Sequence, residues 1–208
     1  MKLYTWGQAP NPRRVKMFLA EKGIELPAID VGDGPQLSAE FLARSSHRSV
    51  PMLELDDGML LGEVPAICRY LESQYPAPPL LGSNPRAAAM IEMWERIGEL
   101  QGIQAVGEVF RNTAPAFAGR GLAGYAQEIG QIPALAERGK VRFNAFLRKL
   151  DQQLSGREFV ADSAFSLADI TCFCAVEFGQ RVLKAGLAEY PELERWHGRV
   201  RERPSATV

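Results

Sequence analysis

"VPMLELDDGMLLGEVPAICRYLE", residues 50–72, changes its period midway. The first half reads as two short apolar strands around Asp56-Asp57-Gly58, a turn tripeptide, which is a hairpin signal. The second half opens with Pro65 in a first helical turn and sets Ile67, Tyr70 and Leu71 on one face, which predicts an amphipathic helix. A hairpin running straight into a helix needs a sheet to belong to, so the flanking residues decide the fold.

Upstream, residues 2–6 (KLYTW) form a β-prone run. Pro12 can open a helix whose apolar stripe is Val15, Phe18 and Leu19, ending at Gly23. Residues 24–31 (IELPAIDV) suit a second strand, with Pro27 marking it as an edge or irregular one. A short helix is expected around Ser38–Arg44. The order βαβ, α, ββα is a small mixed sheet with helices on both sides. Downstream, residues 76–85 (PAPPLLGSNP) carry four prolines and a glycine and read as a linker. Beyond them no strand is convincing, and 86–118, about 125–154, 166–184 and 192–203 read as helices. The expected architecture is α/β then all-α: residues 1–76, a linker over 77–85, and a helical domain over 86–208.

Among the helical segments, "FSLADI" (165–170) carries a sharp local signal. Ser166 is a candidate N-cap and Asp169 stands three residues on, a variant of the capping box, with Phe165 and Ile170 as a hydrophobic staple. The following helix is apolar on nearly every side and should be buried, which gives Asp169 a structural role.

Composition narrows the function classes. The chain has 208 residues and a net charge of −1, which provides no basic field for nucleic acid. No apolar run approaches the roughly 20 residues needed to span a bilayer, and residues 1–5 lead directly into a strand without a signal-peptide core. Three cysteines, Cys68, Cys172 and Cys174, make no disulfide framework. A cytoplasmic protein without a membrane segment is expected. His47 and His197 lack metal-ligand spacing, so no metal is expected.

Taken together, the segments resemble the cytosolic glutathione transferases, in particular a bacterial-type member. Residues 50–72 resemble the family's element VP-x-L … DG … L-x-E-S-x-A-I-x-x-Y-L. SLADI resembles the start of its buried helix, and "YPELERWHGRVRERPSA" (190–206) its C-terminal helix. The resemblance runs from about residue 2 to 206. It implies a thioredoxin-like N-terminal domain that binds glutathione, a helical domain that shapes a pocket for a small electrophile, and a homodimer with a role in detoxification. Arg69 and Glu72 are candidates for the dimer surface.

Site residues follow from the same resemblance. Val50-Pro51 matches the family's cis-proline, which exposes the backbone N–H and C=O of Val50 for pairing with an extended tripeptide. Glu63 matches the glutamate that meets the γ-glutamyl ammonium. The family serine after it is Val64 here, which keeps a backbone N–H but no hydroxyl. Gln36 and Ser49 lie where relatives reach the glycyl carboxylate. The thiolate-stabilising serine or cysteine of some classes falls on Ala9, and the tyrosine of others near Thr5 or Trp6.

In "WGQAPNPRRV" (6–15) this leaves Asn11 as the catalytic candidate, since some bacterial and fungal relatives read Thr- or Ala-Pro-Asn-Gly here. Asn11 also suits an N-cap followed by proline. Arg13 and Arg14 suit solvated helix positions. The electrophile pocket is expected around Trp94, Gly98, Gly102 and Phe110. The reading is a transferase that conjugates glutathione to an electrophile. A weakly catalytic glutathione-binding or regulatory protein, and a glutathione-dependent peroxidase, isomerase or dehalogenase, remain as alternatives.

Overall fold

A computed structural model describes residues 1–7, 9–31, 39–44 and 48–208. The hairpin and its surroundings form a four-stranded sheet from β1 (Lys2–Thr5), β2 (Ala28–Asp30), β3 (Met52–Glu54) and β4 (Leu60–Gly62), in the order β2-β1-β3-β4. β2 is parallel to β1, while β3 is antiparallel to both β1 and β4. As Pro27 foretells, β2 lies at an edge. The turn closes through Gly58 N–H to Leu55 O at 3.0 Å, with Gly58 at a φ of 85° that suits a residue without a Cβ.

Strand alternation divides the core. Leu3 and Leu53 pair across β1 and β3 and face α1 (Pro10–Glu21) and α3 (Val64–Gln74), packing with Val15, Phe18, Ile67 and Leu71. Tyr4 and Met52, on the opposite face, pack with Phe41 of α2 (Ala39–Arg44) and with Val31. This is the thioredoxin-like domain with helices on both sides.

The helical domain follows residues 75–84. Asn84 caps α4 (Pro85–Ile97) by accepting from Ala87 N–H at 3.0 Å. The same rod continues through a π-helical segment, Gly98–Ile103, into α5 (Gln104–Thr113). Then come α6 (Pro133–Leu154), α7 (Leu167–Leu183) and α8 (Pro191–Arg201). Residues 125–132, expected as helix, are not helical, and Pro133 sets the start of α6 instead.

The capping signal at 165–170 is present. Asp169 is fully buried and accepts from Ser166 N–H at 3.1 Å, Ser166 Oγ at 3.0 Å, Val160 N–H at 2.9 Å and Trp196 Nε1 at 3.1 Å. It is a structural hub that ties α7 to α8. Burial pushes its carboxyl up to about 6, against the pull of those donors.

α7 is the central helix of this domain, and small residues let its neighbours close on it. A Cβ at Gly179 would lie 2.0 Å from Phe143 Cζ. Gly179→Ala is therefore expected to cost about 1–3 kcal/mol by overpacking, measured by urea denaturation. Glu72, expected at a dimer surface, also pairs with Lys22 within the chain, at 2.6 Å.

Candidate functional site

The sheet register gathers one end of three strands. Tyr4 pairs with Met52 and Met52 with Gly62. One step further along each strand stand Thr5, Pro51 and Glu63, so the turn after β1, the proline before β3 and the glutamate before α3 share one edge. The Val50–Pro51 peptide is cis, as the resemblance implies. Beside this edge opens a cavity of about 1170 Å³, bordered by Trp6, Asn11, Ser49 and Val50 on the sheet side. The helical domain supplies the opposite wall from α5, the segment after it, and the end of α7.

Asn11 lines this cavity but is not the N-cap that its place before Pro12 suggests. Helix α1 begins at Pro10, not Pro12, and Ala9 is its N-cap residue with no side-chain cap. Asn11 therefore sits inside the first turn and caps nothing. Its Oδ1 accepts from Arg14 Nη1 at 2.9 Å, which leaves the Nδ2 amide hydrogens as its remaining donors at the cavity. Pro10 and Pro12 have no N–H, so Asn11 supplies the backbone donor between them as well.

Arg14, expected at a solvated position, is only 1% exposed. It crosses from the sheet domain to the helical one, ion-pairing with Glu95, reaching Glu99 at 3.5 Å and donating through Nε to Thr171 Oγ1 at 3.0 Å. Burial pushes the Glu95 carboxyl up against the opposing pull of Arg14, and the neighbouring Glu99 adds to the rise. The sequence offers no hint of this, since Glu95 and Thr171 are remote along the chain. Arg13 donates to Ala206 O at 2.8 Å and lies 5.3 Å from the Phe173 ring centroid.

The remaining expected residues divide. Ser49 and Val50 line the cavity, whereas Pro51 is buried behind them. Glu63 is exposed at the N-cap of α3, with a φ of 61° that non-glycine residues seldom adopt. Val64 is 2% exposed and its side chain belongs to the core, so only its backbone is available at that helix start. Gln36 and His47 lie outside the described residues. His197 packs in the core, stacked on Phe173 and 2.6 Å from Glu177. All three cysteines are buried, which pushes their thiols up and away from reactivity. Among the described residues there is no cluster of three or more metal-ligating side chains, and no helix long and apolar enough to cross a membrane.

Of the expected electrophile pocket, only Phe110 lines the cavity. Trp94 is buried, while Gly98 and Gly102 face α7, where a Cβ on Gly102 would meet Ala175 Cβ at 2.6 Å. The neighbouring stripe, Ile103, Gly107 and Phe110, faces the opening. Both stripes have helical spacing, and the small residues mark the one that packs. Trp6, near the position of the tyrosine of other classes, also lines the cavity, as do Arg48, Arg111, Phe117 and Arg120, which no local signal in the sequence marks.

The comparisons with known proteins agree with this geometry. A model described as "Glutathione S-transferase, N-terminal domain" matches residues 3–79, and the corresponding C-terminal domain model matches residues 121–204. Glutathione S-transferase 2 of Saccharomyces cerevisiae is 32% identical over 99% of this chain and 87% of its own length. The chain belongs to the glutathione S-transferase superfamily. Within it, this chain is 31% identical to maleylacetoacetate isomerase of Rattus norvegicus, over 92% of this chain and 83% of that one. A solved glutathione S-transferase of class Gtt2 from Vibrio parahaemolyticus superimposes with a TM-score of 0.82 at 35% identity, covering 99% of this chain and 94% of that one.

Proposed function

We propose that this chain is a glutathione transferase that stabilises the glutathione thiolate through Asn11 and conjugates it to a small electrophile. The observation that carries the reading is the fixed amide of Asn11 at the cavity, its oxygen occupied by Arg14 and its hydrogens left to donate. The backbone of Val50 pairs with the extended tripeptide. Glu63 takes the γ-glutamyl ammonium, and the start of α3, through Val64 N–H, takes the adjoining carboxylate. Arg48 and Ser49, with Gln36, hold the glycyl carboxylate. That arrangement sets the sulfur at the N-terminus of α1, where the dipole and the Asn11 donors favour thiolate over thiol. The thiolate attacks the electrophilic carbon, a carbon–sulfur bond forms, and the leaving group departs with the bonding electrons. The family resemblance extends the proposal to a cytoplasmic homodimer.

Thiolate absorbance of the glutathione complex against pH tests the reading. A thiol pKa lowered by about two units corresponds to about 2.7 kcal/mol, which one charge-assisted bond and a helix N-terminus supply. Asn11→Ala is expected to return about one unit or more of that shift and to slow conjugation of chlorodinitrobenzene about tenfold at neutral pH. An unchanged titration and turnover in Asn11→Ala removes Asn11 from the mechanism. Absence of any bound thiolate in the unaltered protein favours the binding or regulatory alternative. The similarity to an isomerase supports a second reading, in which the same thiolate adds to an activated double bond and leaves again. Glutathione consumption separates the two, being stoichiometric for a transferase and nil for an isomerase.

A further inference from the structure

The wall opposite Asn11 carries two arginines, Arg111 and Arg120, that no carboxylate among the described residues neutralises. Arg111 of α5 and Arg120 of the following segment stack on the same ring, their guanidinium carbons 4.8 Å and 5.6 Å from the Phe117 centroid. Both line the cavity. Each is fixed by backbone carbonyls: Arg111 Nη1 donates to Arg120 O at 3.2 Å, and Arg120 Nη2 donates to Ala116 O. Gln131 secures the base of Arg111 by donating to its carbonyl at 2.7 Å. Among the described residues, neither guanidinium has a carboxylate within ion-pair distance. Glu128, at the rim, is exposed and sits beside Gly119 without pairing to either.

Two like charges on one ring repel, and part-burial adds to the cost. Burial first, and then the charge of Arg120, draw the Arg111 pKa downward. The surrounding wall is apolar and aromatic: Ile103, Phe110, Phe178 and Val182. A third cation, Arg181, borders the same cavity, 5.3 Å from the Phe178 ring centroid. Planar forks held in place on a buried ring match a carboxylate, and the neighbouring apolar wall of Ile103, Phe110, Phe178 and Val182 suits a flat apolar body.

We infer that Arg111 and Arg120 form the carboxylate-recognising part of the second-substrate pocket, so that this protein acts on electrophiles carrying a carboxylate on an apolar or aromatic body. The inference rests on the proposed transferase reading for its chemistry, but the anion site itself does not depend on turnover. Under the proposed function, glutathione's own carboxylates go to the sheet domain, at Arg48 and Ser49 and at the start of α3, which leaves the arginine pair for the other substrate.

Binding is measured first, by calorimetry with dinitrobenzoate and its methyl ester, neither of which has a leaving group. The glutathione site is filled with S-methylglutathione. The acid is expected to bind about tenfold or more tighter than the ester, since a hydrogen bond to a charged group has that worth, and to lose that advantage as salt is raised. Arg111→Met with Arg120→Met is expected to abolish the preference, and melting temperature checks that the double variant is folded. Conjugation of chlorodinitrobenzoate and its ester follows, with the acid's KM rising about tenfold more than the ester's in the double variant.

Equal binding of acid and ester by the unaltered protein overturns the inference without recourse to any variant. So does competition between S-methylglutathione and dinitrobenzoate, which assigns the arginines to glutathione. A preference for the acid without conjugation of either compound upholds the anion site and refutes the transferase reading.

Discussion

Replacing Arg14 by methionine is expected to lower the stability of the fold by about 3–5 kcal/mol, the usual cost of removing one partner of a buried ion pair. Methionine occupies nearly the same volume, so the loss reports charge and hydrogen bonding, not a cavity. The substitution leaves Glu95, itself 2% exposed, beside Glu99 with no buried cation, and it removes the donor to Thr171 Oγ1. Arg14 joins the sheet domain to the helical one, so the variant also weakens their packing. Urea denaturation followed by circular dichroism gives the number.

The pH dependence of that loss has a definite sign. Glu95 titrates above its ordinary range in the folded protein because burial disfavours its charge, and Arg14 is the group that opposes this. Removing Arg14 raises the folded value further. A group raised on folding contributes stability below its unfolded value of 4.5, and that contribution is lost as pH climbs through its folded value. Lowering the pH from 8 to about 5 therefore relieves the variant more than the parent, and the deficit narrows. Arg14→Lys keeps a charge but has no fork to span Glu95, Thr171 and Asn11 together, so it restores part of the stability while leaving the Asn11 amide unheld. Under the proposed mechanism it stays slow at neutral pH.

These consequences mark where the sequence could be read and where it could not. The hairpin and helix at 50–72 were legible because their signals are local: a turn tripeptide, strand alternation, a proline in a first turn. The buried helix after Ser166 was legible for the same reason. Arg14 was not, since a charged residue at helical spacing looks solvated until the facing helix is known to bring Glu95 and Thr171 to it. The cavity wall failed similarly. The stripe through Trp94, Gly98 and Gly102 has the right period, but its glycines serve the approach of α7, and the adjacent stripe through Ile103, Gly107 and Phe110 reaches the opening. For Asn11 the turn was located correctly, but the helix starts two residues earlier than Pro12 suggests, which exchanges a cap for a held amide.

The second large effect is expected at Asp169. Asp169→Ala leaves Val160 N–H, Ser166 N–H and Trp196 Nε1 buried without an acceptor. At about 1–3 kcal/mol for each orphaned donor, the sum approaches the whole stability of a typical domain, about 5–15 kcal/mol. This variant is expected to be largely unfolded at room temperature, with Trp196 exposed and its fluorescence shifted to the red. Asp169→Asn isolates the charge from the shape. Its carbonyl still serves Val160 and Trp196, but its amide faces the Ser166 N–H, donor against donor, so about 1–3 kcal/mol is lost and the fold survives. Here the pH dependence is opposite to that of Arg14→Met. Asp169 is raised from 3.8 to about 6, so its contribution is complete below the unfolded value and declines as pH rises through the folded one. Asparagine does not titrate, so the deficit of Asp169→Asn widens as the pH falls from about 7 to about 4. A deficit that stays level over that range places the Asp169 titration below it and assigns the whole cost to the Ser166 donor.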